Sequence, residues 1–127
     1  MSKEKKLARL RERENGLMRI AEITDERIVF NNGNYICFAH EPDCCEDNYA
    51  DFEYLLDECC LFTTLFDEDI ILEVCNGGFR FGNKGKMFYV PCYSIQNGYY
   101  STDINIYYYK ANNEYITSTH TTCEYKD

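Results

Sequence analysis

Residues 40–46, His40-Glu41-Pro42-Asp43-Cys44-Cys45-Glu46, mark the point where a predicted strand gives way to a predicted helix. Pro42 ends the strand, because proline has no amide hydrogen to donate to a strand ladder. Asp43 or Asp47 can cap a helix that starts there. Beyond the cap, apolar residues recur at helical spacing on one face: Tyr49, Phe52, Leu55, Leu56 and Cys59. The sequence therefore predicts an acidic helix to about Cys59 whose apolar face packs on a sheet.

Charge is distributed very unevenly along the chain. The protein has 127 residues and a net charge of −9, yet residues 1–14 hold six basic and three acidic side chains. Residues 41–73, in contrast, contain twelve acidic residues and no basic one. A protein that binds duplex nucleic acid concentrates Lys and Arg to displace counterions from the phosphates. We therefore expect the acidic body to contact a basic protein and not to bind nucleic acid directly.

The remainder of the sequence predicts a small domain rich in strands. Twelve Tyr and eight Phe favour strands, because aromatic rings suit a pleated, half-buried surface. Asn31-Asn32-Gly33-Asn34 lies between apolar runs and predicts a hairpin, and the pattern of residues 61–125 predicts an antiparallel meander. The predicted fold class is α+β: an antiparallel β-sheet of hairpins and meander strands, with the acidic helix packed on it and a basic N-terminal helix outside.

The basic N-terminal helix is predicted to form an arm of its own. Residues 1–16 carry a thin apolar stripe of Leu7 and Leu10, and Gly16 would end the helix. Residues 17–127 then form a single α+β domain. No segment reaches the roughly 18 apolar residues needed to span a bilayer, and no apolar region of a secretory signal follows the N-terminal charges. We expect a cytoplasmic protein without a membrane partner, whose eight cysteines are reduced.

Two motifs resemble those of a family of small phage and prophage proteins that is known as a domain of unknown function. The first motif is His40-x-x-Asp43-Cys44-Cys45-Glu46, and the second is Asn97-Gly98-Tyr99-Tyr100-Ser101 after a Lys84-Gly85 turn. The similarity covers about residues 17 to 108. The resemblance implies a small α+β domain in a phage setting, and hence the cytosol of a bacterial host. It implies no reaction.

The first motif also suggests an enzyme as an alternative. Cys44 or Cys45 at a helix N-terminus would have a lowered thiol pKa, and His40 could serve as the base. The nearby carboxylates act in the opposite direction, because like charge disfavours a thiolate. A thiol- or metal-dependent enzyme centred on His40, Cys44 and Cys45 is therefore the rival hypothesis to a binding protein.

Metal binding is the second interpretation of the same residues. Structural zinc sites normally use Cys-x2–4-Cys spacing, so that two thiolates converge on one ion. Cys44-Cys45 and Cys59-Cys60 are adjacent pairs, and neighbouring side chains in an extended chain point apart. We expect no cofactor, with zinc at His40, Cys44 and Cys45 as the alternative.

The predicted binding surface joins the acidic segment to the tyrosines of the second motif: Asp43, Glu46, Asp47, Asp51, Glu53, Asp57, Glu58, Tyr99 and Tyr100. Tyrosine supplies contact area at low entropic cost. Such a surface suits the basic groove of a nucleic-acid-binding host protein. The protein would then be an anti-defence inhibitor, for example of a CRISPR nuclease, and its acidic surface would mimic nucleic acid. A third hypothesis is a structural or assembly protein that forms homo-oligomers through its Tyr-rich strands.

Overall fold

A computed structural model of the protein describes residues 17–39, 47–96, 98 and 101–126. These residues form ten strands and one 3-10 helix, η1. Their bounds are β1 (Ile20–Ile23), β2 (Arg27–Phe30), β3 (Tyr35–Ala39), β4 (Asp47–Ala50), η1 (Phe52–Asp57), β5 (Ile71–Cys75), β6 (Gly78–Asn83), β7 (Lys86–Ile95), β8 (Asp103–Tyr109), β9 (Tyr115–Thr122) and β10 (Glu124–Tyr125).

The strands form two sheets of five. The first sheet has the order β1-β2-β3-β8-β9, and every neighbouring pair in it is antiparallel. The second has the order β10-β7-β6-β5, with β4 also paired to β7. Tyr93 of β7 pairs with Tyr49 of β4 and with Glu124 of β10, so these two strands lie on opposite edges of β7. β7 therefore pairs with β4, which precedes it in the chain, and with β10, which follows it.

One aromatic core lies between the two sheets. The ring of Phe30 on β2 lies 6.1 Å from that of Phe66, 6.4 Å from Phe81 on β6 and 6.0 Å from Tyr108 on β8, measured between centroids. Each contact is edge to face, the arrangement that aromatic quadrupoles favour. All four rings are buried. Because Phe30 contacts residues of both sheets, its side chain fixes how the sheets face each other.

The predicted acidic helix is wrong, and with it the α+β class. Asp47–Ala50 forms strand β4 against β7, from Asp47 opposite Ile95 to Ala50 opposite Cys92. Asn48 and Ala50 are buried while Asp47 is exposed, which is the period of two of a strand. The chain turns helical only over the six residues of η1. The described residues are thus a mostly antiparallel β-structure in two sheets. The basic N-terminal helix was predicted for residues outside the described part.

The hairpin prediction is confirmed. β2 and β3 pair antiparallel across residues 31–34, where Gly33 has φ of 92°, a backbone conformation that favours glycine. The predicted meander is right for β5, β6 and β7, which are consecutive neighbours. It fails after β7, because β8 crosses to the first sheet and pairs with β3 and β9. No helix among the described residues has the length and apolar character required to cross a membrane.

Candidate functional site

The described residues that flank the two sequence motifs are neighbours at one end of the molecule. β3 ends at Ala39 opposite Asn105, and β4 begins at Asp47 opposite Ile95. The side-chain amide of Asn48 donates hydrogen bonds to the carbonyl oxygens of Ser101, at 2.9 Å, and Asp103, at 3.1 Å. The strands therefore bring Asn48, which follows the first motif, close to Ser101, the last residue of the second. Several predicted site residues lie outside the described part: His40, Asp43, Cys44, Cys45, Glu46, Tyr99 and Tyr100.

A buried polar network holds this end of the molecule in place. Asn48 and Ser94 are 3% and 0% exposed, and the hydroxyl of Ser94 donates to Oδ1 of Asn48. Nε2 of Gln96 donates to Oγ of Ser94 at 2.6 Å and to the carbonyl oxygen of Ser101 at 3.1 Å. Buried polar groups are costly when they lack partners. The network therefore ties β4, β7 and the chain entering β8 into one arrangement.

The described acids of the predicted binding surface lie on β4 and around η1. Phe52 and Leu55 point into the core, at 1% and 0% exposure, and they anchor η1. A 3-10 helix has three residues per turn, so the intervening side chains must face away from the core. The outward set consists of Glu53, Tyr54, Leu56, Asp57 and Glu58, which we call the η1 surface. At about 2 Å rise per residue these five side chains span roughly 10–12 Å.

The η1 surface contains apolar side chains where the sequence predicts only acids. Tyr54 is 45% exposed and Leu56 is 51% exposed. The helical spacing predicts Leu56 on the buried face, and that prediction is wrong. The ring of Tyr54 packs edge to face against Tyr89 of β7, with centroids 6.3 Å apart. The Phe52–Leu55 spacing of three fits both an α-helix and a 3-10 helix, so no sequence signal indicated this outward placement.

Within the described ranges, the acids of the η1 surface have no partner of opposite charge. Glu53, Asp57 and Glu58 are exposed, and among the described residues none of them forms an ion pair. The stretch 47–58 holds no basic residue. Asp51 differs, because its carboxylate interacts electrostatically with the ammonium group of Lys126. A hydrogen bond with the Tyr49 hydroxyl, with a smaller effect of Asp51, raises the pKa of Lys126.

Two other described acids of segment 41–73, Asp67 and Glu73, make contacts within the fold. Oδ1 of Asp67 accepts hydrogen bonds from the Asp69 amide at 3.0 Å and from the Asn83 side chain at 2.9 Å. Glu73 on β5 pairs with Arg80 on β6, directly across the ladder. Among the described residues, Glu53, Asp57 and Glu58 make no such contacts.

A second aromatic surface covers the outside of the first sheet. The Tyr109 ring lies 5.4 Å from that of Tyr35, 5.8 Å from Tyr107 and 6.3 Å from Tyr115. The guanidinium of Arg27 lies 4.5 Å above the Tyr35 ring, within cation–π range. We call this set the outer tyrosine face. It is the structural counterpart of the Tyr-rich strands in the assembly hypothesis.

Cysteines in the described part are free thiols: Cys37, Cys59, Cys60, Cys75, Cys92 and Cys123. Cys92 and Cys123 are buried on neighbouring segments, and their hydrogen bond together with burial raises the pKa of Cys92. No group of three or more metal-ligating side chains converges within the described ranges. Zinc at His40, Cys44 and Cys45 stays a prediction, because these residues lie outside them.

Comparison with known proteins gave no match among family models, curated proteins or solved structures. The class of the protein is therefore defined by its own geometry, as a two-sheet antiparallel β-structure with a single short 3-10 helix in its described part. The resemblance of its motifs to phage proteins stays a prediction.

Proposed function

We propose that this protein is a non-enzymatic binding protein whose η1 surface contacts a basic partner protein. One observation carries the proposal: Tyr54 and Leu56 are about half exposed amid carboxylates that have no counter-charge in the described structure. Protein interfaces place aromatic and apolar side chains at the centre and polar groups at the rim. An unpaired acidic rim favours a basic partner and accelerates encounter with it.

The rigid support beneath the η1 surface favours this function. Phe52 and Leu55 are fully buried, and the β4 ladder with the Asn48 network fixes the chain just before η1. A surface that is ordered before binding loses less conformational entropy when the complex forms. The exposed side chains can therefore contribute more of their contact energy to affinity.

The motif resemblance supplies the biological setting of the proposal. A phage-type protein acts in the cytosol of its bacterial host, where nucleic-acid-binding proteins present basic grooves. Acids without ion pairs can occupy such a groove in place of phosphates. We therefore propose a cytoplasmic anti-defence inhibitor, with a CRISPR nuclease as the type of target and nucleic acid as the ligand that it mimics.

A charge-reversal experiment tests the proposal. Variant Glu53→Lys/Asp57→Lys/Glu58→Lys and control Asp25→Lys/Glu26→Lys/Glu114→Lys change the net charge equally, and all six positions are exposed. Calorimetric titration against a guide-loaded CRISPR nuclease should show the first variant weakened at least about tenfold and the control unchanged. Wild-type affinity should fall as salt rises, because exposed charges are screened within about 8 Å at physiological ionic strength.

Two results would contradict the proposal in different ways. Equal weakening by both variants would mean that net charge matters and the η1 surface does not. Absence of any complex, and of any competition with labelled target DNA, would remove the nuclease as the partner.

Self-association through the outer tyrosine face is the second candidate. The observation that favours it is the unbroken set of ring contacts from Tyr35 through Tyr109 to Tyr115 on a sheet face. Tyrosine is enriched at the centres of interfaces. Light scattering over a range of concentrations should show a dimer that Tyr109→Ser dissociates, whereas a concentration-independent monomer excludes this role.

A further inference from the structure

Two adjacent thiols meet directly after η1. The Sγ atoms of Cys59 and Cys60 are 3.5 Å apart, which is van der Waals contact between sulfurs. Adjacent side chains diverge in an extended chain, and the sequence predicts that these two would do so. Cys60 has φ of 61°, in the left-handed region, and this rotation brings its side chain back to that of Cys59. The close contact is thus a consequence of backbone conformation.

The surrounding turn holds Cys60 in this uncommon conformation. Its carbonyl oxygen accepts hydrogen bonds from the Thr63 amide at 3.2 Å, the Thr64 amide at 3.0 Å and the Thr64 hydroxyl at 2.8 Å. Leu61, the next residue, is 3% exposed and anchors the turn in the core. A left-handed residue other than glycine persists only where its surroundings determine it. The sulfur contact is therefore built into the fold of the turn.

Both thiols are open to solvent. Cys59 and Cys60 are exposed, whereas the other neighbouring pair of thiols in the described structure, Cys92 and Cys123, is buried. Exposure is one of the two properties, with thiolate character, that determine which cysteines react with small oxidants. A small molecule can reach the pair from outside without any opening of the core.

We infer that Cys59 and Cys60 form a vicinal dithiol site that undergoes exchange with small-molecule disulfides. The thiolate of one cysteine attacks one sulfur of a disulfide RSSR. A bond forms between the cysteine Sγ and that sulfur, the S–S bond of RSSR breaks, and RS⁻ leaves. The thiolate of its neighbour then attacks the protein sulfur of that mixed disulfide and expels the second RS⁻. The two thiol protons of the protein end on the two RS⁻ groups. The protein gains one disulfide, and RSSR is reduced to two RSH.

The contact between the two sulfurs also affects the acidity of Cys59. The hydrogen bond with Cys60, with a smaller effect of the Glu58 carboxylate, raises the pKa of Cys59. Either sulfur can donate across the contact, so either thiol of the pair can attack first. The other thiol then resolves the mixed disulfide.

The oxidised form is readily reversed by thiols. Consecutive Cα atoms are about 3.8 Å apart, below the roughly 4.4–6.8 Å usual for disulfides. Such departures make a disulfide more reducible. The site therefore cycles between dithiol and disulfide instead of locking the fold.

Oxidised glutathione is the probe for this site. The full chain carrying Cys44→Ser/Cys45→Ser, which removes the other adjacent pair, is reduced, exposed to oxidised glutathione and weighed by intact mass spectrometry. The expected product has lost two hydrogens and retains no glutathione, and the disulfide maps to the peptide with residues 59 and 60. A dithiol reductant should restore the starting mass.

Single variants separate the two steps. In the same background, Cys59→Ser should retain one glutathione on Cys60 and Cys60→Ser one on Cys59, because each variant lacks the second thiol that would resolve the mixed disulfide. Cys75→Ser, at a half-buried position, should behave like the parent. A stable glutathione adduct on the parent, a disulfide mapped to other cysteines, or unreactive Cys59 and Cys60 in a chain with an unchanged circular dichroism spectrum would each overturn the inference.

Discussion

The side-chain amide of Asn34 donates a hydrogen bond of 2.9 Å to the phenol oxygen of Tyr108, 74 residues further along the chain. Both side chains are buried, at 7% and 0% exposure. Oδ1 of Asn34 also accepts from the amide of Ala111 at 3.2 Å. One asparagine thereby joins the β2–β3 turn to β8 and to the β8–β9 turn. The contact unites three parts of the first sheet that are distant in sequence.

Replacement of Asn34 by Ala should lower the free energy of unfolding by about 1–3 kcal/mol, because it leaves the buried Tyr108 hydroxyl and the Ala111 amide without these partners. Urea denaturation measures the change. Tyr108→Phe and the double variant complete a cycle, in which the coupling should be about 0.5–1.5 kcal/mol. Additive effects of the two substitutions would show that the contact contributes nothing.

The stability of the protein should decline at high pH through Tyr108. Burial, partly offset by the Asn34 hydrogen bond, raises the pKa of Tyr108 to about 12 from its ordinary value of 10.0. Because the folded pKa lies above the unfolded one, the contribution of Tyr108 is complete below about pH 10. It is lost as the pH rises from about 10 to 12, by about 2–3 kcal/mol in total at 1.36 kcal/mol per pKa unit.

Urea midpoints measured between pH 9 and pH 12 test this. Tyr108→Phe keeps the ring and removes the titration, so its stability should fall less steeply over the same range. If the urea midpoint of Tyr108→Phe falls with pH as steeply as that of the wild type, the loss of stability comes from the exposed tyrosines and not from Tyr108.

Asn48→Asp should be the most disruptive conservative change near the candidate site. The amide of Asn48 donates to two carbonyl oxygens, and a carboxylate would instead place a buried negative charge against both. We expect a loss of about 3 kcal/mol or more at neutral pH. Burial raises the pKa of such a carboxyl, so part of the loss should be recovered as the pH falls and the introduced carboxyl becomes a neutral donor.

Denaturation at pH 7 and pH 4.5 measures this recovery. Asp47→Asn is the matched control, since Asp47 is exposed at the adjacent position and should change stability by less than about 0.5 kcal/mol. If the Asn48 variant unfolds at the wild-type urea midpoint, the polar network does not hold β4 to β7.

Local signals in the sequence were enough for the turns and insufficient for the sheets. Asn-Gly chemistry placed the β2–β3 hairpin correctly, because positive φ at Gly33 is a local requirement. Nothing local shows that Asp47 will pair with Ile95, or that β8 will leave the meander to join β3. Those pairings depend on which edges and faces remain free once the core has formed, and that is a property of the whole chain.

The candidate site shows the same division between local and long-range information. The negative charge of residues 47–58 and the adjacency of Cys59 and Cys60 can be read directly from the sequence. Apolar residues at 52, 55, 56 and 59 fit an α-helical face, yet a six-residue 3-10 helix buries only the first two. Residues 47–50, which the sequence predicts as helix, instead pair with β7, and the helical part is confined to residues 52–57. The exposed Tyr54 and Leu56 lie in that short helical part.

Leu55 and Leu56 form a matched pair that distinguishes the two local structures. Leu55→Ala should cost about 2–5 kcal/mol, because it removes a fully buried side chain from the core. Leu56→Ala should change stability by no more than about 0.5 kcal/mol, because half of the Leu56 side chain is already in solvent. An α-helix packed through residues 52, 55, 56 and 59 would instead make both substitutions costly. Urea denaturation of the two variants separates these outcomes. A large loss of unfolding free energy in both variants would support the α-helix instead of η1. Titration of Leu56→Ala with the basic partner adds an independent readout: weakened binding at unchanged stability is expected only if Leu56 belongs to the contact surface.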